Sequence, residues 1–326
     1  MKSIYVSTPA RVSLFGEYSK LIGETLTISL DKLQTKIEVS LSSDNFHSAF
    51  SKNFNERIEF ETLELDGKWS DYIKASLIVL QKNNFNLPYL NFNISSNIPP
   101  KAGLASSSAL IVSVIKGISE LLNLGLSKKQ VADLSYQTET VELNIPCGYM
   151  DFYSCSIGGV QYIKHTPISG PSLARYKLPK EAKIVIIETG KEKNTEEIIS
   201  KIFEAHKKGE KRITDHIGLE KSLIKEARTL LKYDALNLTR LGQLIQQAHK
   251  SYQVNLRSSS PLHDQICDTA INAGALGAKI SGGGFGGACF ALTTKEKEVA
   301  NALASLSNLV VISSINYSGS KLERLA

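Results

Sequence analysis

The chain has 326 residues, 42% of them hydrophobic and 21% charged, with a formal charge of +6. That composition excludes a disordered or fibrous protein, and a length beyond the roughly 250–300 residues at which one core stops growing points to two packed domains. The basic excess forms no dense run interleaved with aromatics, so no nucleic-acid partner is expected, and no window approaches the roughly 18 apolar residues of a membrane helix.

Residues 2 to 42 read as strand, turn and strand. "IYVSTPARVSLFG" and "TLTISLDKLQTKIEVSL" are rich in β-branched residues, and the turn-like "EYSKLIGE" separates them. "RIEFETLEL", ending at Asp66-Gly67, predicts another strand, and the apolar spacing of "WSDYIKASLIVLQKN" is helical. "LNFNISSNIPP" is a strand closed by Pro99 and Pro100. "KAGLASSSALIVSVIKGISELLNL" starts with Gly and Ser and becomes apolar on nearly all sides, which predicts a buried helix whose N-terminus lies in that loop. A further helix, "SKKQVADLSYQTETVELN", leads into "IPCGYMDFYSCSIGGVQYIKH".

Residues 165 to 180 hold three prolines and no clear periodicity, so they predict the connection between an N-terminal domain, 1–170, and a C-terminal one, 171–326. In the second domain "AKIVIIETG" is a short buried strand, and 194 to 254 is helical with capping residues from Asn194 to Glu197. "SSSPLHDQICDTAINAG" is a helix ending on glycine, and "KISGGGFGGACFAL" reads as strand, glycine loop and strand. Cys147, Cys155, Cys267 and Cys289 have no CxxC spacing, which predicts reduced core thiols and not zinc or a disulfide framework. The opening "MKSIYVSTPARVSLFGEYSK" lacks a continuous apolar signal region, so the expected location is cytoplasmic.

Two loops carry the chemistry. "GLASSS", 103 to 108, opens a helix with three hydroxyls, and "GGGFGG", 282 to 287, packs five glycines into six positions. Backbone N–H groups exposed at such loops suit phosphate, and a serine hydroxyl there can ligate magnesium. Neither loop is a Walker A motif, since no GK[ST] follows, and "GGGFGG" runs into the strand-like "ACFAL" instead of a Rossmann helix. Phosphoryl transfer also needs a carboxylate for the metal, a group to orient the attacking hydroxyl and a cation for the transferred charge. Glu139, Asp151 and Arg11 are candidates for these, although a lone acidic residue is more often a cap or a solvated charge and an exposed cation in a strand would be ordinary.

"PARVSLFGEYS", "PPKAGLASSSA" and "KISGGGFGGACFAL" resemble, in order and separation, the three motifs of the GHMP kinases, small-molecule kinases that include galactokinase, homoserine kinase, mevalonate kinase and phosphomevalonate kinase. "QTETVELNIPCGYMDFYS", with "WSDYIKA", "GQLIQQAHKSY" and "SSPLHDQI", makes the chain most similar to the galactokinase branch. The resemblance implies an α+β, two-domain fold, with an N-terminal ribosomal-protein-S5-like domain, a C-terminal ferredoxin-like domain and the active site between them. It implies ATP as phosphate donor and Mg2+ held by Ser107 and Glu139. Gly103, Leu104, Ala105, Ser106, Ser107 and Ser108 would cradle the nucleotide phosphates. Asp151 would be the catalytic aspartate beside the acceptor hydroxyl, and Arg11 would steady the phosphoryl group and that aspartate. Glu17, Tyr18, Lys20, Asp151, Gly283 and Gly284 would face the substrate, a small sugar, in a monomer or homodimer.

Galactokinases read GEHTDYN where this sequence reads "GEYSKLI", so Tyr18 replaces a histidine and Lys20 an aspartate; Phe152 replaces a glutamine. An inward Lys20 would favour an acceptor bearing a carboxylate, such as a uronic acid, whereas an outward one is a solvated lysine. The leading expectation is a galactokinase-like sugar 1-kinase that phosphorylates the anomeric hydroxyl. A mevalonate kinase-like enzyme of isoprenoid synthesis is the second, and a non-catalytic sugar sensor the third.

Overall fold

The computed structural model describes residues 3–166, 170–190, 195–233 and 237–323. In chain order the first half comprises β1 (Ser3–Phe15), α1 (Ser19–Ile22), β2 (Glu24–Leu41), β3 (His47–Ser51), β4 (Glu56–Phe60), α2 (Asp71–Lys82), β5 (Leu90–Ser96), α3 (Ser106–Leu121), α4 (Lys128–Gln137), a π-helical turn (Thr138–Glu142), α5 (Met150–Ile157), β6 (Val160–Lys164) and β7 (Ser172–Tyr176). There follow β8 (Lys183–Glu188), α6 (Thr195–Lys207), α7 (Lys211–Leu230), α8 (Leu238–Ser251), a second π-helical turn (Tyr252–Leu256), α9 (Pro261–Asn272), β9 (Gly277–Ile280), β10 (Ala288–Thr293), α10 (Glu296–Leu303), β11 (Val310–Ser313) and β12 (Lys321–Leu322). The fold is α+β, as the resemblance implied.

The first sheet runs β12-β1-β2-β5-β3-β4, with β6 and β7 branching from β2. Its 18 residues make the branch possible: Glu24 to Ile28 pair with β6, and Thr35 to Leu41 pair with β5. β1 is buried from Val6 onward on both faces, although its sequence sets Ser7, Pro9, Arg11 and Ser13 between Val6, Thr8, Ala10, Val12 and Leu14. α3 covers β1 and β2 with Ile111, Val112, Val114, Ile115 and Ile118, all fully buried. This is the nearly all-round apolar helix read from the sequence.

The second sheet is antiparallel, in the order β11-β8-β10-β9. Val185, Ile187, Phe290 and Leu292 form its core, and α8, α9 and α10 pack on it.

The structure departs from the expected elements at several points. The "EYSKLIGE" turn contains the single helical turn α1, stopped by Gly23 at φ +86°. The strand expected over "RIEFETLEL" ends at Phe60 and is the second arm of a hairpin whose first arm, β3, gave no sequence signal. Part of the expected connection, Ser172–Tyr176, is a strand on β6, and β12 returns to pair with β1. The capping residue Asn194 and residues 167–169 lie outside the described residues. All four cysteines are free thiols, three of them buried. Among the described residues no helix is long and apolar enough to cross a membrane.

Candidate active site

The β1–β2 ladder shifts register between Pro9 and Arg11, where Arg11 comes to lie opposite Ser29. The Arg11 N–H donates to the Leu104 carbonyl at 3.2 Å, which ties β1 to the loop before α3. The guanidinium, 3% exposed, reaches three ways. Nε donates to Asp151 Oδ1 at 2.7 Å, Nη1 to the Gly103 carbonyl at 2.9 Å and Nη2 to Glu17 Oε1 at 3.2 Å. Burial alone would lower the Arg11 pKa, but the carboxylates of Asp151 and Glu17 outweigh it and the net shift is upward. The cation is therefore permanent, and its geometry is fixed.

Asp151 lies in the first turn of α5. Arg11 holds one of its oxygens while the side chain remains 26% exposed, so the carboxylate is oriented without being sealed off.

The serine loop ends with Ala105 in the left-handed region at φ +65°, and α3 begins at Ser106. Non-glycine residues held there are strained by about 1 kcal/mol or more, and such strain concentrates at functional loops. The reversal aims the first turn of α3, whose N–H groups have no partners within the helix, toward the π-helical turn that carries Glu139. Ser107 Oγ donates to Glu139 Oε1 at 3.4 Å and Ser108 Oγ to Oε2 at 3.5 Å. Burial, and then the neighbouring Asp151 charge, push the Glu139 pKa up to about 7, against the two hydroxyls. Among the described residues Glu139 forms no ion pair. A buried carboxylate whose pKa burial raises, with hydroxyls beside it, is a hard-oxygen donor set that fits Mg2+, which keeps most of its shell for water and phosphate.

The six-residue glycine loop has its partner in the serine loop. Ala288 N donates to the Ala102 carbonyl at 2.9 Å, and Ser281 Oγ donates to the Gly103 carbonyl at 2.8 Å, the same oxygen that receives Arg11. A Cβ on Gly287, at φ +85°, would lie 2.7 Å from the Ala102 oxygen. The glycines therefore allow backbone to lie on backbone. Gly287→Ala is expected to lower stability by roughly 3 kcal/mol, visible as a fall in Tm and as weakened nucleotide affinity. An unchanged Tm would mean that the loop moves aside freely.

The other expected substrate residues are dispersed. Glu17 joins the Arg11 cluster. Tyr18 is buried, and its hydroxyl donates to the Gly283 carbonyl at 3.0 Å, so it links α1 to the glycine loop. Gly284 backs onto Ser258. Lys20 is exposed and, with Ser19, Gly148, Tyr149, Met150 and His165, lines a crevice beside the segment that delivers Asp151. Sequence reading missed Ser281, Glu220 and Lys279. Only Lys279 left a trace, as a lysine inside the wholly buried four-residue strand β9.

The chain matches two family descriptions, "GHMP kinases N terminal domain" over residues 71–159 and "GHMP kinases C terminal" over residues 228–311. It is 28% identical to the galactokinase of Thermococcus kodakarensis, with 90% of each chain covered. It is also 28% identical to the mevalonate kinase of Thermococcus sibiricus, with 98% of each covered. Its fold superposes on Lactococcus lactis galactokinase complexed with galactose with a TM-score of 0.82 at 23% identity, covering 99% of this chain and 95% of that one. With the two family regions spanning both sheets and the motif residues converging on one cluster, the chain belongs to the GHMP kinases and is an ATP-dependent phosphotransferase acting on a hydroxyl acceptor.

Proposed function

We propose that this kinase phosphorylates the anomeric hydroxyl of a small sugar. The observation that carries the reading is the Arg11 guanidinium, bonded at once to Asp151, Glu17 and the Gly103 carbonyl. One side chain thereby couples the acceptor side of the site to the phosphate loop. In this reading Asp151 orients the acceptor hydroxyl and takes its proton, and Arg11 offsets the charge on the transferred phosphoryl group. Residues 103 to 108 cradle the nucleotide phosphates, and Glu139 with Ser107 holds Mg2+. Magnesium held there would supply positive charge to the nucleotide phosphates. "PCGYMD", which delivers Asp151, favours a sugar over mevalonate because it follows the galactokinase pattern.

Lys20 sets the acceptor's charge class in this reading. It forms no ion pair among the described residues and stands on α1, whose Ser19 lies against Gly148 on the way to Asp151. An acceptor with a carboxylate would give that ammonium a partner.

Coupled ADP release tests both points against galactose, other neutral aldoses, glucuronate, galacturonate and mevalonate, with Asp151→Asn as the blank. Turnover of a uronate that falls about 10-fold or more in Lys20→Ala is the expected result. Turnover of neutral sugars alone would return Lys20 to the surface. A second reading, mevalonate phosphorylation, is favoured by the equal identity to the two classes of relative. Turnover of mevalonate alone would replace the sugar reading and leave the phosphotransferase intact.

A further inference from the structure

The turn that carries Glu17 and Tyr18 is held from behind by two charged residues of the other half of the chain. Glu220, on α7, is 1% exposed, and its Oε2 accepts the Gly16 N–H at 2.6 Å. Gly16 has φ +81°, and a Cβ there would lie 2.3 Å from the Glu24 carbonyl, so the turn as built takes only glycine at this position. Lys279, on β9, is equally buried, and its Nζ donates to the Ser13 carbonyl at 3.1 Å and the Ile280 carbonyl at 2.8 Å. Its ammonium sits over the rings of Tyr252 and Phe290, at 5.0 and 5.4 Å.

Both ions are costly to bury. Burial pushes the Glu220 pKa up and the Lys279 pKa down, and the charge of each opposes that shift on the other. His216, one turn before Glu220 on α7, adds no competing charge. Burial, then the nearby Lys279 ammonium, depress its pKa to about 4, and its Nδ1 shares a hydrogen bond with Ser251 Oγ at 2.8 Å. A protein gains little stability from buried ionisable groups over apolar residues of the same size, so the use of these two must be sought in what each holds.

We propose that Glu220 is a positioning residue for phosphoryl transfer: by accepting the Gly16 amide it fixes the turn that aims Glu17 at Arg11, while Lys279 anchors the same turn through Ser13. Three separate elements of the second half of the chain then grip one segment of the first: α7 through Glu220, β9 through Lys279, and the glycine loop through Tyr18. The Arg11 guanidinium must meet Asp151 and Glu17 together, and a turn displaced by about 1 Å would cost it that geometry, enough to slow a positioned reaction by about 100-fold. The inference rests on the roles given above to Arg11 and Asp151.

Two conservative variants separate the held contact from the charge. Glu220→Gln keeps an oxygen at the Gly16 amide and loses the charge; Glu220→Asp keeps the charge and is one methylene too short to reach. Steady-state kinetics with ATP and whichever acceptor the panel identifies, alongside Tm, are the readouts. Glu220→Gln is expected to keep kcat within about 3-fold. Glu220→Asp is expected to lower kcat by about 10- to 100-fold and raise the acceptor KM, with the KM for ATP within about 2-fold. Wild-type turnover in Glu220→Asp would overturn the proposal, as would equal losses in the two variants. Joint loss of kcat, ATP affinity and Tm would also overturn it, since that marks a purely structural role. Asp151→Asn serves as the control: if it stays active, the underlying site assignment fails, whereas an inactive Asp151→Asn beside a fully active Glu220→Asp removes the positioning role alone.

Discussion

Asp151→Asn is expected to lower turnover by about 10²- to 10⁴-fold while nucleotide affinity changes by less than about 3-fold. The amide keeps the shape of the carboxylate and can still accept a hydrogen bond from Arg11 Nε, but it cannot take a proton. The phosphate loop should be indifferent to the change, because Ser281 and Ala288 hold Gly103 and Ala102 from the other side. Arg11 also keeps Glu17 as a partner. Initial rates and nucleotide titration on the same preparation are sufficient. Near-normal turnover would mean that another group receives the acceptor proton. A loss of turnover with a matching loss of nucleotide affinity would mean that the aspartate chiefly supports the loop.

Glu139→Gln is expected to abolish Mg2+-dependent turnover and, in metal-free protein, to raise stability at pH 8. The folded-state pKa of Glu139 is near 7 and its ordinary value is 4.5. Between those values the folded protein holds a proton that the unfolded chain has released. Stability from this group is therefore complete below pH about 4.5, declines as pH rises, and is gone above about 7. The gap corresponds to roughly 3 kcal/mol, and the uncharged amide would remove the decline. Thermal unfolding of both proteins at pH 5 and pH 8, without metal, should show the variant ahead only at the higher pH. Saturating Mg2+ should narrow the difference by binding wild type alone. Parallel Tm values at both pH values would show that the carboxylate is solvated and not waiting for a cation.

The parts of the site that were legible in the sequence are those encoded within a few residues of one another. Glycines and serines at 103 to 108 and at 282 to 287 declare loops locally, and Arg11 stood out as a cation inside a strand. Their convergence could be expected only from the resemblance of three motifs taken together. What escaped was non-local or depended on small changes in winding. The π-helical turn Thr138–Glu142 continues an ordinary α-helical pattern, and no residue in it announces the wider turn that presents Glu139. β3 reads "HSAFS", too short and too polar to signal a strand, and is fixed by pairing with β4 and β5. Glu220 lies among charged helical residues where a buried carboxylate looks like any solvated one. Its partner amide is 204 positions away. A longer separation, 265 positions, hides the function of Tyr18, which reads as a substitution in a sugar-contacting motif and in the fold is a tie to the glycine loop.

The last strand closes against the first. β12 pairs with β1 at Val6 and Ser7, and Glu323 N donates to the Tyr5 carbonyl at 2.8 Å. During synthesis, then, the Val6–Ser7 edge of the strand that bears Arg11 must wait uncovered while the more than 300 residues that separate it from β12 are made. At about 5–20 residues per second that interval lasts tens of seconds. An uncovered edge is an invitation to pair with another chain. For this enzyme, then, the open edge of β1 is protected only once β12 has paired with it.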